Sequence, residues 1–141
     1  MTAAAPERVY VALGSNLGDR AAHLAHARAR LAALPGTRLL GVSRVEETQP
    51  LGPVPQGPYL NQMVQLESTL EPEELLAHCR TIEAERGRVR RERWGPRTLD
   101  LDIVRFGDRQ VTEQDLIIPH PELSNRDFWL RELAEIQSHE G

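Results

Sequence analysis

The chain of 141 residues carries 17 basic side chains, every one of them arginine, against 21 acids, for a formal net charge of -4. Without a lysine it cannot build a phosphate loop of the Walker kind, and 40% hydrophobic with 27% charged residues excludes a disordered or membrane-spanning chain. The length fits one domain, residues 1–141, able to bury about 68% of the surface of its extended form.

Residues 9–13 are a short apolar run ended by Gly14-Ser15-Asn16, which predicts a buried strand entering a turn. Leu24, Ala27, Leu31 and Leu34 then recur at steps of three and four, a helix beginning after Asp19 and stopped by Pro35-Gly36. Residues 37–47, rich in Leu, Val and Thr, predict a second strand, and a loop over 48–58 holds four prolines whose fixed φ angles stiffen it. Leu60, Val64 and Leu66 alternate with Asn61, Met63 and Gln65, so a half-buried strand is expected with Tyr59 and Asn61 on one face.

Pro72 opens a second helix, with Glu73 and Glu74 in its first turn where the helix dipole favours acids. Leu75, Leu76, Cys79 and Ile82 form its apolar stripe, and Gly87 is positioned to end it. Residues 98–106 read as a strand, followed by a turn at Gly107-Asp108, a brief strand near 109–111 and a last helix over 127–136 with Leu130, Leu133 and Ala134 at helical spacing. The order β-α-β-β-α-β predicts an α+β, ferredoxin-like antiparallel sheet with both helices on one face and the other face available, plus a short C-terminal hairpin strand and helix.

Three further exclusions are brief. The lone cysteine, Cys79, rules out an internal disulfide framework and reads as a small core residue. The first eight residues lack the apolar segment of a secretory leader, and no run approaches the roughly 18 apolar residues of a membrane span, so a cytoplasmic protein is expected. An acidic chain with one arginine-dense segment suits a compact polyanion better than a nucleic-acid backbone.

That segment is 86–97, where Arg86, Arg88, Arg90, Arg91, Arg93 and Arg97 face one acid, Glu92, for a local charge of +5. Immediately after it come Asp100 and Asp102. Two residues apart on a strand, their carboxylates share a face with Cα atoms roughly 6.6 Å apart, a spacing that can bridge two Mg²⁺ ions. A solvated strand face is the plainer alternative, but aspartate is disfavoured in strands. Guanidinium forks beside metal-binding acids are the parts that phosphoryl-type transfer needs. Trp94 within the arginines suggests an aromatic cover, His120 sits in Pro119-His120-Pro121, and Phe128 with Trp129 reads first as core.

Residues 93–103, Arg-Trp-Gly-Pro-Arg-Thr-Leu-Asp-Leu-Asp-Ile, closely resemble the signature of the 6-hydroxymethyl-7,8-dihydropterin pyrophosphokinase family of folate biosynthesis. Leu13-Gly14-Ser15-Asn16-Leu17-Gly18, Thr48-Gln49-Pro50-Leu51-Gly52-Pro53, Tyr59-Leu60-Asn61, Ile82-Glu83, Gly87-Arg88, Pro119-His120-Pro121 and Asn125-Arg126-Asp127-Phe128 match in the same order, over about residues 9–136. The resemblance implies transfer of a diphosphate from ATP, as co-substrate, to the pterin hydroxymethyl oxygen, with release of AMP and two Mg²⁺ ions held by Asp100 and Asp102. It implies that Tyr59 and Phe128 sandwich the pterin ring, Asn61 hydrogen-bonds its edge, the main chain near Thr48 and Leu51 completes that pocket, and Trp94 covers it. It implies catalytic roles for Arg88 and Arg97 on the β- and γ-phosphates, phosphate contacts from Arg90, His120 and Arg126, and Glu83 beside the nucleotide. On this reading the partners are the two small molecules alone, with no nucleic acid or membrane, and the chain is a monomer. The rival readings are a two-metal nucleotidyl transferase on the same fold, which releases pyrophosphate, and a ferredoxin-like RNA-binding module, which needs no Mg²⁺.

Overall fold

The computed structural model describes residues 5–50, 56–87 and 98–138. The predicted positions Leu51, Arg88, Arg90, Arg91, Arg93, Trp94 and Arg97 lie outside the described residues. Strand β1 (Glu7–Ser15) leads into helix α1 (Arg20–Ala32), whose first turn is capped by Asp19 accepting the Ala22 N–H at 3.1 Å. Strands β2 (Thr37–Val42), β3 (Glu46–Thr48) and β4 (Tyr59–Ser68) follow, then helix α2 (Pro72–Glu85), which starts at its proline with Glu74 accepting the Glu71 N–H. Strand β5 (Asp100–Phe106), a hairpin of β6 (Val111–Glu113) and β7 (Leu116–Ile118), a short 3-10 turn (Leu123–Asn125) and helix α3 (Asp127–Ser138) complete the described elements.

The main sheet is antiparallel, ordered β2-β4-β1-β5, with β3 also paired to β4. On one face, Leu24, Ala27 and Leu31 of α1 and Leu75, Cys79 and Ile82 of α2 pack onto Val9, Val11 and Leu13 of β1, Val64 and Leu66 of β4, and Phe106 of β5. Each of the larger apolar side chains contributes about 1.5–3 kcal/mol by leaving water, so this layer supplies most of the stabilisation. Cys79 is buried here, as a small core residue should be.

The opposite face is not left open. Trp129, Leu133 and Ile136 of α3 pack on Tyr10, Ala12, Met63 and Val104, so β4 is buried on both sides along 61–66 rather than half-buried as its alternation suggested. The expected strand over 37–47 is interrupted at 43–45. Ser43, 2% exposed, takes the Met63 N–H on its hydroxyl at 2.9 Å, displacing a ladder carbonyl and ending regular pairing. Near the chain's later turn, the brief strand begins at Val111 and is one arm of a hairpin whose second arm the sequence did not signal.

One irregularity sets the faces of β5. Tyr10 pairs Arg105 but Val11 pairs Ile103, so Val104 is an extra residue, a bulge in the β1–β5 ladder.

Gly36 occupies the left-handed region at φ 59°, and a Cβ there would collide with Thr69 Oγ1. Gly36→Ala should therefore lower the unfolding free energy by about 1–2 kcal/mol, read as a shifted urea midpoint with unchanged slope. A neutral result would contradict the turn geometry.

Candidate active site

Residues directly opposite in a ladder project from the same side of the sheet. Asp100 of β5, Gly14 of β1, Asn61 of β4 and Glu46 of β3 are opposite one another in turn, forming one row across four strands on the face that α3 partly covers. The next row holds Asp102, Ala12 and Met63. Thr48 opposes Tyr59 on the other side of the first row, and both share its face. Helix α3 sits on Ala12, Met63 and Val104, which leaves the Gly14 end of this face as the one where polar side chains collect. Gly14 puts no side chain in the middle of it; an added Cβ would lie 3.5 Å from both Asn61 Oδ1 and Tyr59 Cδ1.

At one side of Gly14 the structure assembles acids and a histidine. Asp100 and Asp102 are half-buried. His120 donates its backbone N–H to the Val104 carbonyl at 2.9 Å, which holds the loop after β7 against β5. Its Nε2 lies 3.6 Å from Asp102 Oδ1, while its Nδ1 accepts the Glu122 N–H at 3.1 Å. With Nδ1 engaged as acceptor, the neutral ring carries its hydrogen on Nε2, pointing it at the acid. Behind β5, Glu83 is 3% exposed and accepts the Leu101 N–H at 2.8 Å. A buried acid of α2 thus grips the backbone between the two aspartates.

On the other side lie the polar groups of β3 and β4. Asn61, largely buried, donates to Thr48 Oγ1 at 2.6 Å, which directs its amide oxygen elsewhere, and Tyr59 is half-buried at the strand's start. At the head of α3, Arg126 holds its guanidinium 4.4 Å from the Trp129 ring centre, with its Nε buried and receiving no partner among the described residues. The His120 ring meets the same indole edge-on at 4.9 Å, and Phe128 stands beside it, half-buried, at 6.2 Å. Trp129 is therefore a common floor for Arg126, His120 and Phe128.

Sequence reasoning missed two anchors. Asn16 donates to Gln56 Oε1 at 2.6 Å and to the Gly57 carbonyl at 3.1 Å, and Arg20 donates to the Pro58 carbonyl at 2.9 Å and to Glu47 at 3.1 Å. Together they tie the end of the proline loop to the end of β1 and the start of α1. Asn16 is 8% exposed in a polar turn, and a buried amide in a loop needs such partners; spacing alone carried no signal of where they lie.

The arrangement defines an α+β domain with one sheet face capped by a helix at one end and carrying an acid pair, a histidine and hydrogen-bonding polar groups at the other. The family model of 7,8-dihydro-6-hydroxymethylpterin-pyrophosphokinase matches residues 10–138, and the chain belongs to that family. It is 45% identical over 129 residues to the 2-amino-4-hydroxy-6-hydroxymethyldihydropteridine pyrophosphokinase of Methylorubrum extorquens, covering 92% of this chain and 82% of that one. With the enzyme of the same name from Bacillus subtilis the identity is 45% over 127 residues, 90% and 76% of the two chains. For the Pseudomonas aeruginosa enzyme it is 44% over 130 residues, 92% and 80%.

Proposed function

We propose that the protein transfers the terminal diphosphate of ATP to the hydroxymethyl oxygen of 6-hydroxymethyl-7,8-dihydropterin, in folate biosynthesis, and releases AMP. The row Asp100–Gly14–Asn61 carries this reading. Neighbouring strands lie about 4.8 Å apart, so the acid and the amide stand roughly 10 Å from each other with a bare glycine between them. That span accommodates a bicyclic ring recognised at Asn61 and a phosphate chain held at Asp100 and Asp102, their reacting atoms meeting above Gly14.

Tyr59, Phe128, Asn61 and Thr48 form the pterin side of this reading, with Leu51 and Trp94 completing it. His120 and Arg126 take nucleotide phosphate oxygens, joined by Arg88, Arg90 and Arg97, and Glu83 stands beside the nucleotide while fixing Leu101. In the reaction a bond forms from the pterin hydroxyl oxygen to the β-phosphorus and the bond from that phosphorus to the α,β-bridging oxygen breaks. Charge then builds on the oxygen leaving with AMP, where arginines and the His120 N–H can meet it. Two half-buried carboxylates on one strand face are hard oxygen donors and fit Mg²⁺, two ions of which would screen the triphosphate and orient it. Holding both substrates on one rigid face converts a two-body collision into an oriented one.

The wider reading is a ferredoxin-like single domain, supported by the strand order, working as a cytoplasmic monomer on small molecules without nucleic acid. No described helix is long and apolar enough to cross a membrane. The deciding experiment incubates the protein with the dihydropterin and Mg-ATP and identifies the nucleotide product. Pterin-dependent AMP is expected; ADP, pyrophosphate, or no pterin-dependent turnover overturns the assignment.

A further inference from the structure

Helix α3 is fastened to the β3 edge of the sheet by charged groups that the proposed chemistry does not use. Arg131 Nη2 lies 3.1 Å from Glu46 Oε1, and Arg44 donates to Glu135 from its backbone N–H at 2.9 Å and from Nε at 3.2 Å. Between these ion pairs is Glu132, 1% exposed, neither of whose oxygens meets a described hydrogen-bond donor; Glu46 Oε2 is in the same condition. Glu132 is buried and Glu46 turns its one buried oxygen to the same place while the other meets Arg131, and one shared proton turns the repulsion of the two carboxylates into a hydrogen bond. A groove of about 500 Å³ lined by Arg44, Glu46, Arg131, Glu132 and Glu135 opens beside the pair, giving the proton a route to solvent.

The placement of this pair matters more than its presence. Glu132 is one helical turn beyond Phe128 on the same face of α3. Glu46 is two residues before Thr48 on the same face of β3, and directly opposite Asn61. We propose that Glu132 is a positioning residue: the proton it shares with Glu46 docks α3 on β3 and so fixes Phe128 relative to the Thr48–Asn61 end of the sheet. The proposal rests on the reading of that end as the pterin pocket.

Burial, then the hydrogen bond and charge of Glu46, pushes the Glu132 carboxyl up to about 9. Burial also pushes Glu46 upward, but hydrogen bonds from Glu132 and Arg131 outweigh it and hold Glu46 below its ordinary value. The charged groups facing the pair are Arg131 and Glu135 of α3 and Arg44 from the β2–β3 link; β4 presents Met63 to the helix, and its one acid, Glu67, pairs with Arg38. A released Glu132 titrates near the ordinary value of 4.5, so docking binds a proton between that pH and about 9. The docking constant therefore falls by up to about tenfold per pH unit as pH rises through that window, and levels off beyond it.

The test uses the full chain with Glu132→Gln, which keeps a hydrogen-bond donor to Glu46 at every pH, and measures kcat and both KM values from about pH 6 to pH 9.5. The dihydropterin's own ionisation is common to both proteins, so the ratio of wild-type to variant is read. That ratio is expected to rise about threefold or more with pH for the pterin KM and to stay flat for the ATP KM. A flat pterin ratio, or an ATP KM moving in step, overturns the positioning role. Glu46→Gln offers Glu132 an amide donor, moves its ionisation down and should also flatten the pterin profile, which keeps the test alive if Glu132→Gln folds poorly. Thermal midpoints without substrate need no pterin: the wild type should lose stability relative to Glu132→Gln as pH rises, and parallel slopes refute the shared proton. No pterin turnover in any of the proteins refutes the pocket instead, and leaves the thermal comparison to decide the pair.

Discussion

Asp102→Asn should reduce pterin-dependent AMP formation by about three orders of magnitude or more, an increase of about 4 kcal/mol in the barrier, with the thermal midpoint almost unmoved. Asp102 is about one-third exposed and points from the sheet face that α3 leaves open, so the change removes a charge without leaving a cavity. Asparagine keeps the size but has one oxygen and no charge, too little to hold a divalent cation or to orient the His120 Nε2–H 3.6 Å away. Asp100→Asn should behave alike, since its carboxylate lies in the adjacent row of the same face. Equilibrium binding of the pterin alone should change little, because Asn61 and Tyr59 lie two strands away. Turnover within tenfold of wild type would remove Asp102 from the reacting centre.

Trp129→Ala should have the largest effect on stability of any single change in α3, about 3–5 kcal/mol, the range for deleting a buried aromatic. In a chain of this length that lowers the thermal midpoint by roughly 10–20 °C. Trp129 is 2% exposed and sits in the cluster with Tyr10, Met63, Val104 and Leu133. The same ring supports His120 edge-on and Arg126 over its face, contacts that add about 0.5–1.5 kcal/mol each. Trp129→Phe should recover most of the midpoint while leaving a raised KM for ATP, because the smaller ring fills the core but reaches less far under Arg126. A stability loss below about 1 kcal/mol would mean that α3 does not cover the second sheet face as described.

Much of the site is visible in the sequence because the strand period of two holds over residues 99–103. Leu99, Leu101 and Ile103 alternating with Asp100 and Asp102 leave one arrangement in which the leucines enter the core and the acids do not. The cap at Asp19, the start of α2 at Pro72 and its end before Gly87, at φ 77°, follow from equally local chemistry. What sequence cannot carry is the choice between partners. Leu130, Leu133 and Ala134 mark the last helix by their spacing, but the face it buries is that of Trp129, Leu133 and Ile136 with Leu130 exposed, and nothing local says that this face meets the second face of the sheet. Ser43 looks like an ordinary strand residue until the Met63 N–H is seen on its hydroxyl. Glu132 likewise reads as a solvated helix position, and its burial follows only from where β3 passes. The arginines at 88, 90, 91, 93 and 97 are legible by charge and lie beyond the described residues, so their reading rests on the sequence.

The extra residue in β5 acts as a change of phase. Counting by twos, Asp100, Asp102 and Val104 have the parity of Phe106, which is wholly buried beneath the first two helices. Only because the β1–β5 ladder skips Val104 do the aspartates emerge on the other side. Removing one residue between 103 and 105 would restore uninterrupted alternation and turn both carboxylates into the apolar layer, whereas exchanging Val104 for another apolar residue leaves their direction alone. At this strand the protein is far more sensitive to spacing than to side-chain identity, and its chemistry depends on a count.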